Sequence, residues 1–410
     1  MKYPSGLTRR AMVGSGIGSI AALAAPQSNS DGVRTLTDPI TKRSIRHFQS
    51  PSHEVHHYYF VSPWSPDNKK IVFFQFNPSV DKLTARGQFP GRLVLMDSDG
   101  GNRQPISPEL KGNYHVGVNQ FWGPNNDSVY FSDTSQTPPR LAELRLSSKK
   151  IDHPQSPVRC DRLSPDNKVL SCGGGREWGV YSPAENRYSR LVTLERALAL
   201  SPNKAQAEGL ASQLQNTRFS PTGDRVMIVH RTVDDPPRLI EIYVYDFASQ
   251  QLTYLAQNLH HPCWRPDGKA ILFVRWDDRR KMQNLWEVNV ETRVERCLFD
   301  RHISVVHSSY HPKKQNLVLG DSYGGEFGNG LVLIDIDAGK ARQLVTIPQG
   351  AGADPLADER FPFRNFGLWM PPRKYLNEPR PVWSDDGSRV LYTSQESGRI
   401  NLYVADTADI

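Results

Sequence analysis

The chain has 410 residues, a formal net charge of +7, 38% hydrophobic residues and 23% charged residues. These values are ordinary for a globular protein. The sequence contains no run of lysine and arginine and no nucleic-acid-binding motif, which argues against a nucleic-acid partner. The modest basic surplus attracts polyanions in general, so we expect an acidic oligosaccharide as the partner. Nothing in the sequence indicates an oligomeric state.

Residues 1–27 have the features of a cleavable export signal. Arg9 and Arg10 precede an apolar run of small residues at 11–23. This run is too short and too rich in glycine to cross a bilayer, and no later segment is long and apolar enough for a membrane span. The adjacent arginines favour the twin-arginine export route, and a general secretory signal that carries two arginines is the alternative. Either route predicts a periplasmic or secreted protein.

A turn motif of the form Ser-Pro-Asp-Gly/Asn, followed by an apolar strand, recurs along the rest of the chain. Its seven copies are marked by Pro66, Pro124, Pro165, Pro221, Pro266, Pro312 and Asp385. Short strands with tight-turn chemistry at a spacing of roughly 40 to 70 residues are typical of four-stranded propeller blades. We therefore predict an all-β fold over residues 33–410, a single seven-bladed β-propeller with four-stranded antiparallel blades. The third repeat is weak because residues 173–175 are all glycine, so six or eight blades remain alternatives.

Two segments fall outside the regular repeat. Residues 43–48 are predicted to form the outer strand of the last blade and so to close the ring. Residues 349–375 form an insertion between blades 6 and 7 that is rich in aromatic residues. Long loops within compact domains are usually functional. We interpret the insertion as a lid over the channel mouth, with a packed side flap as the alternative.

The four cysteines are too few for a disulfide framework. Cys160 and Cys172 flank the turn at residues 164–167, so they can face each other across a hairpin and form a disulfide in an oxidising compartment. Cys263 and Cys297 are equally consistent with buried thiols.

Histidines recur at equal distances before the turns. The innermost strand of each blade lines the channel of a propeller, so equal positions should converge around the axis. Five residues before the turn marker the blades carry Val61, Asn119, Cys160, Asn216, His261, His307 and Arg380. Nine residues before it, two blades carry His57 and His115. These residues are candidates for a site at the channel mouth, and hydrogen-bonded channel histidines without a catalytic role are the alternative.

Several motifs resemble the oligogalacturonate lyases of polysaccharide lyase family 22, which are seven-bladed propellers related to the TolB-type propellers. The stretches that carry the resemblance are residues 36–39, 56–60, 261–266 and His307 with 320–325. The resemblance implies cleavage of short uronic-acid chains by β-elimination. It also implies a divalent metal, typically manganese, held by three histidines and a glutamine, and an arginine that acts as the base.

The resemblance assigns roles to individual residues. His307 matches a metal-binding histidine, His261 matches an active-site histidine, and Arg238 matches the basic arginine. The last blade departs from the family pattern, since Glu378 and Arg380 stand where histidines are expected. His307 with Glu378 would then hold manganese or calcium, which accept imidazole and carboxylate ligands. Arg380 would bind the substrate carboxylate.

His57 and His115 are predicted to contact the substrate at a neighbouring subsite or to act as a catalytic pair. The sequence therefore favours a carbon–oxygen lyase that acts on uronic-acid-containing oligosaccharides. The alternative is a non-catalytic TolB-like propeller that binds a protein or a glycan in the periplasm. A hydrolase appended to a propeller is disfavoured, because the chain contains no nucleophile-elbow motif.

Overall fold

The computed structural model describes residues 32–84, 87–156, 159–233, 239–277, 282–301, 303, 305–323, 327, 329–347 and 378–410. The predicted export signal, the insertion at 349–375 and Arg238 lie outside these residues.

Seven antiparallel sheets form the blades, and in the first six blades the innermost strand comes first along the chain. Blade 1 consists of Glu54–Val55, Lys70–Phe76, Phe89–Asp97 and Gln104–Pro105, with Leu110–Gly112 beside its third strand. Blade 2 consists of Phe121–Trp122, Ser128–Asp133, Arg140–Arg145 and Lys150–Asp152, and blade 3 of Cys160–Leu163, Leu170–Gly174, Glu177–Ser182 and Arg187–Thr193. Blade 4 consists of Ser212–Phe219, Arg225–Thr232, Ile240–Asp246 and Leu252–Gln257, and blade 5 of His260–Trp264, Ala270–Asp277, Met282–Asn289 and Glu295–Phe299. Blade 6 consists of Ser309–His311, Lys314–Tyr323, Asn329–Asp335 and Lys340–Thr346.

The last blade combines both ends of the chain. Its strands from the channel outward are Val382–Trp383, Arg389–Ser394, Asn401–Asp406, Ser44–Phe48 and Val33–Thr37. The N-terminal strand pairs antiparallel with the C-terminal one, with Ile45 opposite Ala405 and Phe48 opposite Leu402. The predicted closure by residues 43–48 is confirmed, and so is the seven-bladed all-β fold. The fifth strand, Val33–Thr37, is an addition to the predicted blade.

Helical structure is confined, among the described residues, to short segments. Leu194–Leu200 and Lys204–Ala207 are α-helices that connect blades 3 and 4. No helix in the described part of the chain is long and apolar enough to cross a membrane.

In blades 1, 3 and 7 the turn serine donates a short side-chain hydrogen bond to the aspartate two residues later. In blade 1 the Ser65 hydroxyl donates to Oδ1 of Asp67 at 2.6 Å, and Asn68 follows with a φ of +58°. The left-handed conformation of the last turn residue is tolerated by asparagine and glycine, which is why the motif ends in one of them. The same φ sign is found at Asn167, Gly223, Gly268 and Gly387.

Apolar side chains fill the spaces between neighbouring blades. One such cluster, between blades 7 and 1, contains Phe48, Trp64, Phe73, Leu391 and Leu402, each at most 1% exposed. Because these contacts lie between the sheets, they leave the channel side of each innermost strand to polar residues. Buried polar residues accordingly gather near the axis and define the candidate site.

The inner hairpin of blade 3 carries the predicted disulfide. Cys160 and Cys172 are directly opposed in the first two strands and are bonded to each other. Cys263 is a buried free thiol and Cys297 a half-buried one. The disulfide prediction is confirmed, and the bond holds the strand that continues into Gly173 and Gly174.

Candidate functional site

Four of the seven residues that lie five positions before the turns share a left-handed backbone conformation. Asn119, Asn216, His261 and Arg380 have φ values of +57°, +50°, +50° and +48°. Residues other than glycine seldom adopt the left-handed region, and such residues cluster at functional sites. The pairing register shifts across this point in blades 3, 4 and 5. In blades 4 and 5 the equal sequence positions, Asn216 and His261, are thus equal structural positions at a bulge in the innermost strand.

A cavity of about 700 Å³ opens beside these bulges, and blades 1 to 5 contribute its walls. Three of the predicted site residues, His57, His115 and His261, line it. Its other lining residues are Tyr58, Phe60, Val116, Arg159, Asp161, Gly173, Gly174, Gly175, Gln213, Leu214, Gln215, Asn216 and Arg231. At Gly175 an added Cβ would meet no atom within 4 Å, so the space beside this residue is open. The cavity is large enough for a small ligand with several polar groups.

A chain of hydrogen bonds runs from a buried carboxylate to the cavity. Asp321 Oδ2 lies 2.7 Å from Nδ1 of His307, and both side chains are fully buried. Nε2 of His307 lies 3.0 Å from the hydroxyl oxygen of Tyr58, which lies 3.0 Å from Nε2 of His261. Asp321 also accepts from the backbone N–H of His307 at 2.8 Å, which fixes its orientation. Tyr58 and His261 bring this chain to the cavity wall.

Hydrogen-bonding capacity assigns the protons of this chain. An ionised carboxylate only accepts, so Nδ1 of His307 carries the proton that Asp321 receives. Tyr58 has a single hydroxyl proton for two neighbouring imidazole nitrogens. With both imidazoles neutral, Tyr58 donates to Nε2 of His307 and accepts from Nε2–H of His261.

The ionisation of Tyr58 and His261 agrees with that assignment. Burial, followed by the neighbouring His307 and His260, lowers the pKa of His261 well below 6.5, so it is neutral near pH 7. Burial and the charge of Glu378 raise the pKa of Tyr58 well above 10, so its hydroxyl keeps its proton.

Positive charge is concentrated on the blade 3 and blade 4 side of the cavity. Arg159 and Arg231 line it, with Asp161 as the carboxylate among the lining residues. Arg162 and Arg218 stack on the ring of Phe60 at 4.7 and 3.9 Å from its centroid. Burial lowers the pKa of Arg162 to about 10, which leaves it charged near neutral pH.

His57 is neutral within this positive field. Burial, then the charges of Arg159 and Arg162, lowers its pKa well below 6.5. Near neutral pH the arginines therefore supply positive charge to these walls, whereas His57 and His261 add none, and this arrangement suits an anionic ligand.

Arg380 does not line this cavity. Its side chain is completely buried, with the guanidinium 4.8 Å from the ring centroid of Tyr114. Its N–H groups donate to the backbone carbonyls of Glu378 at 3.4 Å, Tyr114 at 3.3 Å and His115. These carbonyls occupy the donors that a substrate carboxylate would need, so the geometry does not support the predicted contact between Arg380 and substrate.

His307 and Glu378 do not fit the predicted metal site. Glu378 Oε2 is 3.9 Å from Nε2 of His307 and 3.8 Å from Nε2 of His115. Asp321 and Tyr58 engage both ring nitrogens of His307, so no lone pair is left for a metal. Within the described residues, no group of three or more His, Cys, Asp and Glu is arranged to hold a metal ion. The expected manganese or calcium site is therefore not formed by these residues.

Three histidines that the sequence selected by register line the same cavity, but the sequence did not select their hydrogen-bond partners. Tyr58 and Asp321 were given no role, although Tyr58 directly follows His57 and Asp321 lies in the 320–325 stretch. Arg159, one residue before Cys160, was also missed. The available signal for Tyr58 and Arg159 was their position next to residues selected by register, and for Asp321 it was the 320–325 stretch.

Comparison with solved structures identifies proteins of the same fold. An oligogalacturonate lyase in complex with manganese superposes with a TM-score of 0.65 at 14% identity, covering 91% of this chain and 96% of that one. The oligogalacturonate lyase of Vibrio parahaemolyticus gives a TM-score of 0.65 at 12% identity, with the same coverage of 91% and 96%. The β-propeller domain of the Trilobed protease from Pyrococcus furiosus gives 0.50 at 9% identity, covering 87% and 95%. No protein-family model and no curated protein matches the sequence. At these identities the similarity shows the fold.

Proposed function

We propose that the protein is a lyase that cleaves uronic-acid-containing oligosaccharides by β-elimination at the channel mouth. The observation that carries the proposal is the cavity in which an ordered tyrosine–histidine pair faces arginine-rich walls. Binding of an acidic sugar requires positive charge, which the arginines supply. Removal of a proton from carbon requires a base, which the tyrosine–histidine pair supplies. The similarity in fold to two oligogalacturonate lyases supports the same assignment.

The requirements of β-elimination match the described groups. The C6 carboxylate must be neutralised so that charge can develop at C5, and Arg159 and Arg231 lie in the cavity for this purpose. A group within hydrogen-bond reach must take the C5 proton, and His261 with Tyr58 stands at the wall. His57 and His115 are placed to contact neighbouring sugar hydroxyls. Arg238, outside the described residues, stays a candidate base.

The experiment is an absorbance assay for the unsaturated uronate product. The purified protein is incubated with galacturonate, glucuronate and ulvan-type oligosaccharides, each with manganese, with calcium and with a chelator. We expect rising absorbance with one substrate class and its loss in His261→Ala. His153→Ala, which removes a histidine from outside the cavity, is the matched control and should cleave like the wild type.

A flat trace with every substrate would contradict the proposal. If calorimetry then detected binding of the same oligosaccharides, the protein would be a non-catalytic propeller that binds a glycan.

We also propose that the protein works in the periplasm or outside the cell. The disulfide between Cys160 and Cys172 supports this location, because such bonds persist in oxidising compartments. The twin-arginine motif at Arg9 and Arg10 supports it independently.

A further inference from the structure

We propose that Tyr58 is the catalytic base of this site, activated by His307 and Asp321 where the sequence resemblance had implied a metal ligand. This inference rests on the proposed lyase function, and it assigns the proton transfer to a residue to which the sequence analysis gave no role.

The geometry is that of a hydroxyl activated by a carboxylate–imidazole pair. Asp321 holds the Nδ1 proton of His307 at 2.7 Å, and Nε2 of His307 faces the Tyr58 hydroxyl at 3.0 Å. A nucleophile or base within hydrogen-bond reach of an imidazole that a third group orients is the general pattern of activated side chains. Asp321 and His307 are fully buried, whereas Tyr58 reaches the cavity. The chain therefore has one end that a substrate can contact.

His261 supplies the second hydrogen bond to the same oxygen. Its Nε2–H points at the Tyr58 hydroxyl at 3.0 Å, where it stabilises negative charge as the hydroxyl proton leaves. The rings of His261 and His307 lie 4.7 Å apart, so the oxygen is held between two imidazoles. His261 therefore contributes to the reaction by acting through Tyr58.

Glu378 completes the electrostatics of His307. Its carboxylate is 2% exposed, and Oε2 lies 3.9 Å from Nε2 of His307 without a hydrogen-bond partner among the described residues. A buried carboxylate at this distance stabilises the imidazolium that forms when His307 takes a proton. The carboxylates of Asp321 and Glu378 thus flank the imidazole of His307 and stabilise its protonated form during proton transfer.

The step balances as follows. The C5–H bond of the uronate breaks, and its proton goes to Oη of Tyr58 while the Tyr58 hydroxyl proton moves to Nε2 of His307. The C5–H electron pair forms the C4=C5 double bond, and the C4–O4 bond breaks. The leaving oxygen takes a proton from a water molecule in the open cavity. The hydroxide left behind takes the hydroxyl proton of Tyr58, and Tyr58 recovers a proton from Nε2 of His307. Both side chains return to their starting forms.

The test compares Tyr58→Phe with Tyr59→Phe. Tyr58→Phe keeps the ring and removes the oxygen, so we expect kcat to fall by about 100-fold or more, the usual contribution of a general base. Calorimetric affinity for the oligosaccharide should change by less than about 3-fold, because the arginines remain. Tyr59 donates its hydroxyl to the Pro262 carbonyl and lies outside the cavity lining, so Tyr59→Phe should keep the wild-type kcat.

A chelator arm on the wild type keeps the proposal falsifiable if a variant fails to fold. Cleavage that persists in chelator supports a protein-only base. Cleavage lost in chelator and restored by manganese would overturn the inference, as would a Tyr58→Phe variant with wild-type kcat. In both of those cases the lyase proposal would stand. If the wild type cleaved none of the substrates, both proposals would fall together.

Discussion

The guanidinium of Arg380 has no exposed surface, and its N–H groups donate to backbone carbonyls from two parts of the ring. Glu378 belongs to the start of blade 7, whereas Tyr114 and His115 precede blade 2. The backbone N–H of Arg380 in turn donates to Asp321 Oδ2 at 3.1 Å. One arginine therefore ties blades 7, 6 and 2 together around the channel, which is a structural task.

Arg380→Met should destabilise the fold without weakening ligand binding directly. Removal of a buried charge donor leaves carbonyls unpaired, and we expect the free energy of unfolding to fall by about 2–4 kcal/mol. Chemical denaturation measures this loss. Arg231→Met is the matched control, since Arg231 lines the cavity: its stability should change by less than about 1 kcal/mol, while oligosaccharide affinity falls severalfold. Weak binding by Arg380→Met at wild-type stability would contradict this assignment.

At the level of single residues, the distance from a turn predicted which side chains lie at the channel better than side-chain chemistry predicted their roles. His57, His115 and His261 were found because equal distance from a turn means equal height in the channel. The partnership of Tyr58 with His307 was not predictable, since 249 residues separate them and no pattern links them. The burial of Arg380 was not predictable either, because it depends on the carbonyls that Tyr114 and His115 present to it.

At the level of elements, the inner hairpin of blade 3 combines a disulfide with a glycine run. The bond joins Cys160 and Cys172 across a separation of 12 residues, and Gly173 to Gly175 follow at once in the cavity wall. The glycines have φ values of +124°, +143° and +69°, which other residues adopt only with strain. The disulfide therefore restrains the strand whose glycine-rich sequence is least suited to regular β structure. The same glycines made this repeat hard to recognise in the sequence.

Thiol counting tests both the bond and the compartment. Protein purified from the exported fraction and denatured without reductant should show two reactive thiols, Cys263 and Cys297. The double variant Cys160→Ser, Cys172→Ser should unfold with about 2–3 kcal/mol less free energy, the range for short disulfide loops. Cys297→Ser, which removes a half-buried free thiol, is the control and should keep wild-type stability. Four reactive thiols in the exported protein would contradict the proposed oxidised state.

For the whole molecule, the ring concentrates neutral histidines at its axis. Burial, followed by the positive charge of Arg380, lowers the pKa of His56 to about 3, and burial with Arg231 lowers that of His260 to about 3. His57 and His261 are shifted in the same direction. These histidines thus share a buried environment that disfavours the imidazolium form. Their protonation therefore costs free energy in the folded ring.

Acidification should therefore destabilise the propeller well above the pH at which carboxylates titrate. Unfolded histidines take up protons near pH 6.5, whereas His56 and His260 in the folded state do so only near pH 3, so the unfolded state gains protons first as pH falls. Stability should be constant above about pH 6.5 and should fall below it by about 1.4 kcal/mol per pH unit for each such histidine. Thermal unfolding followed by circular dichroism between pH 7.5 and 5 measures this slope. His56→Phe removes one titrating group that faces Arg380 and His307, so its melting temperature should decline less steeply than that of the wild type. If the melting temperatures of the two proteins declined in parallel, His56 would be protonated in the folded ring. The channel would then be more hydrated than the burial of His56 indicates.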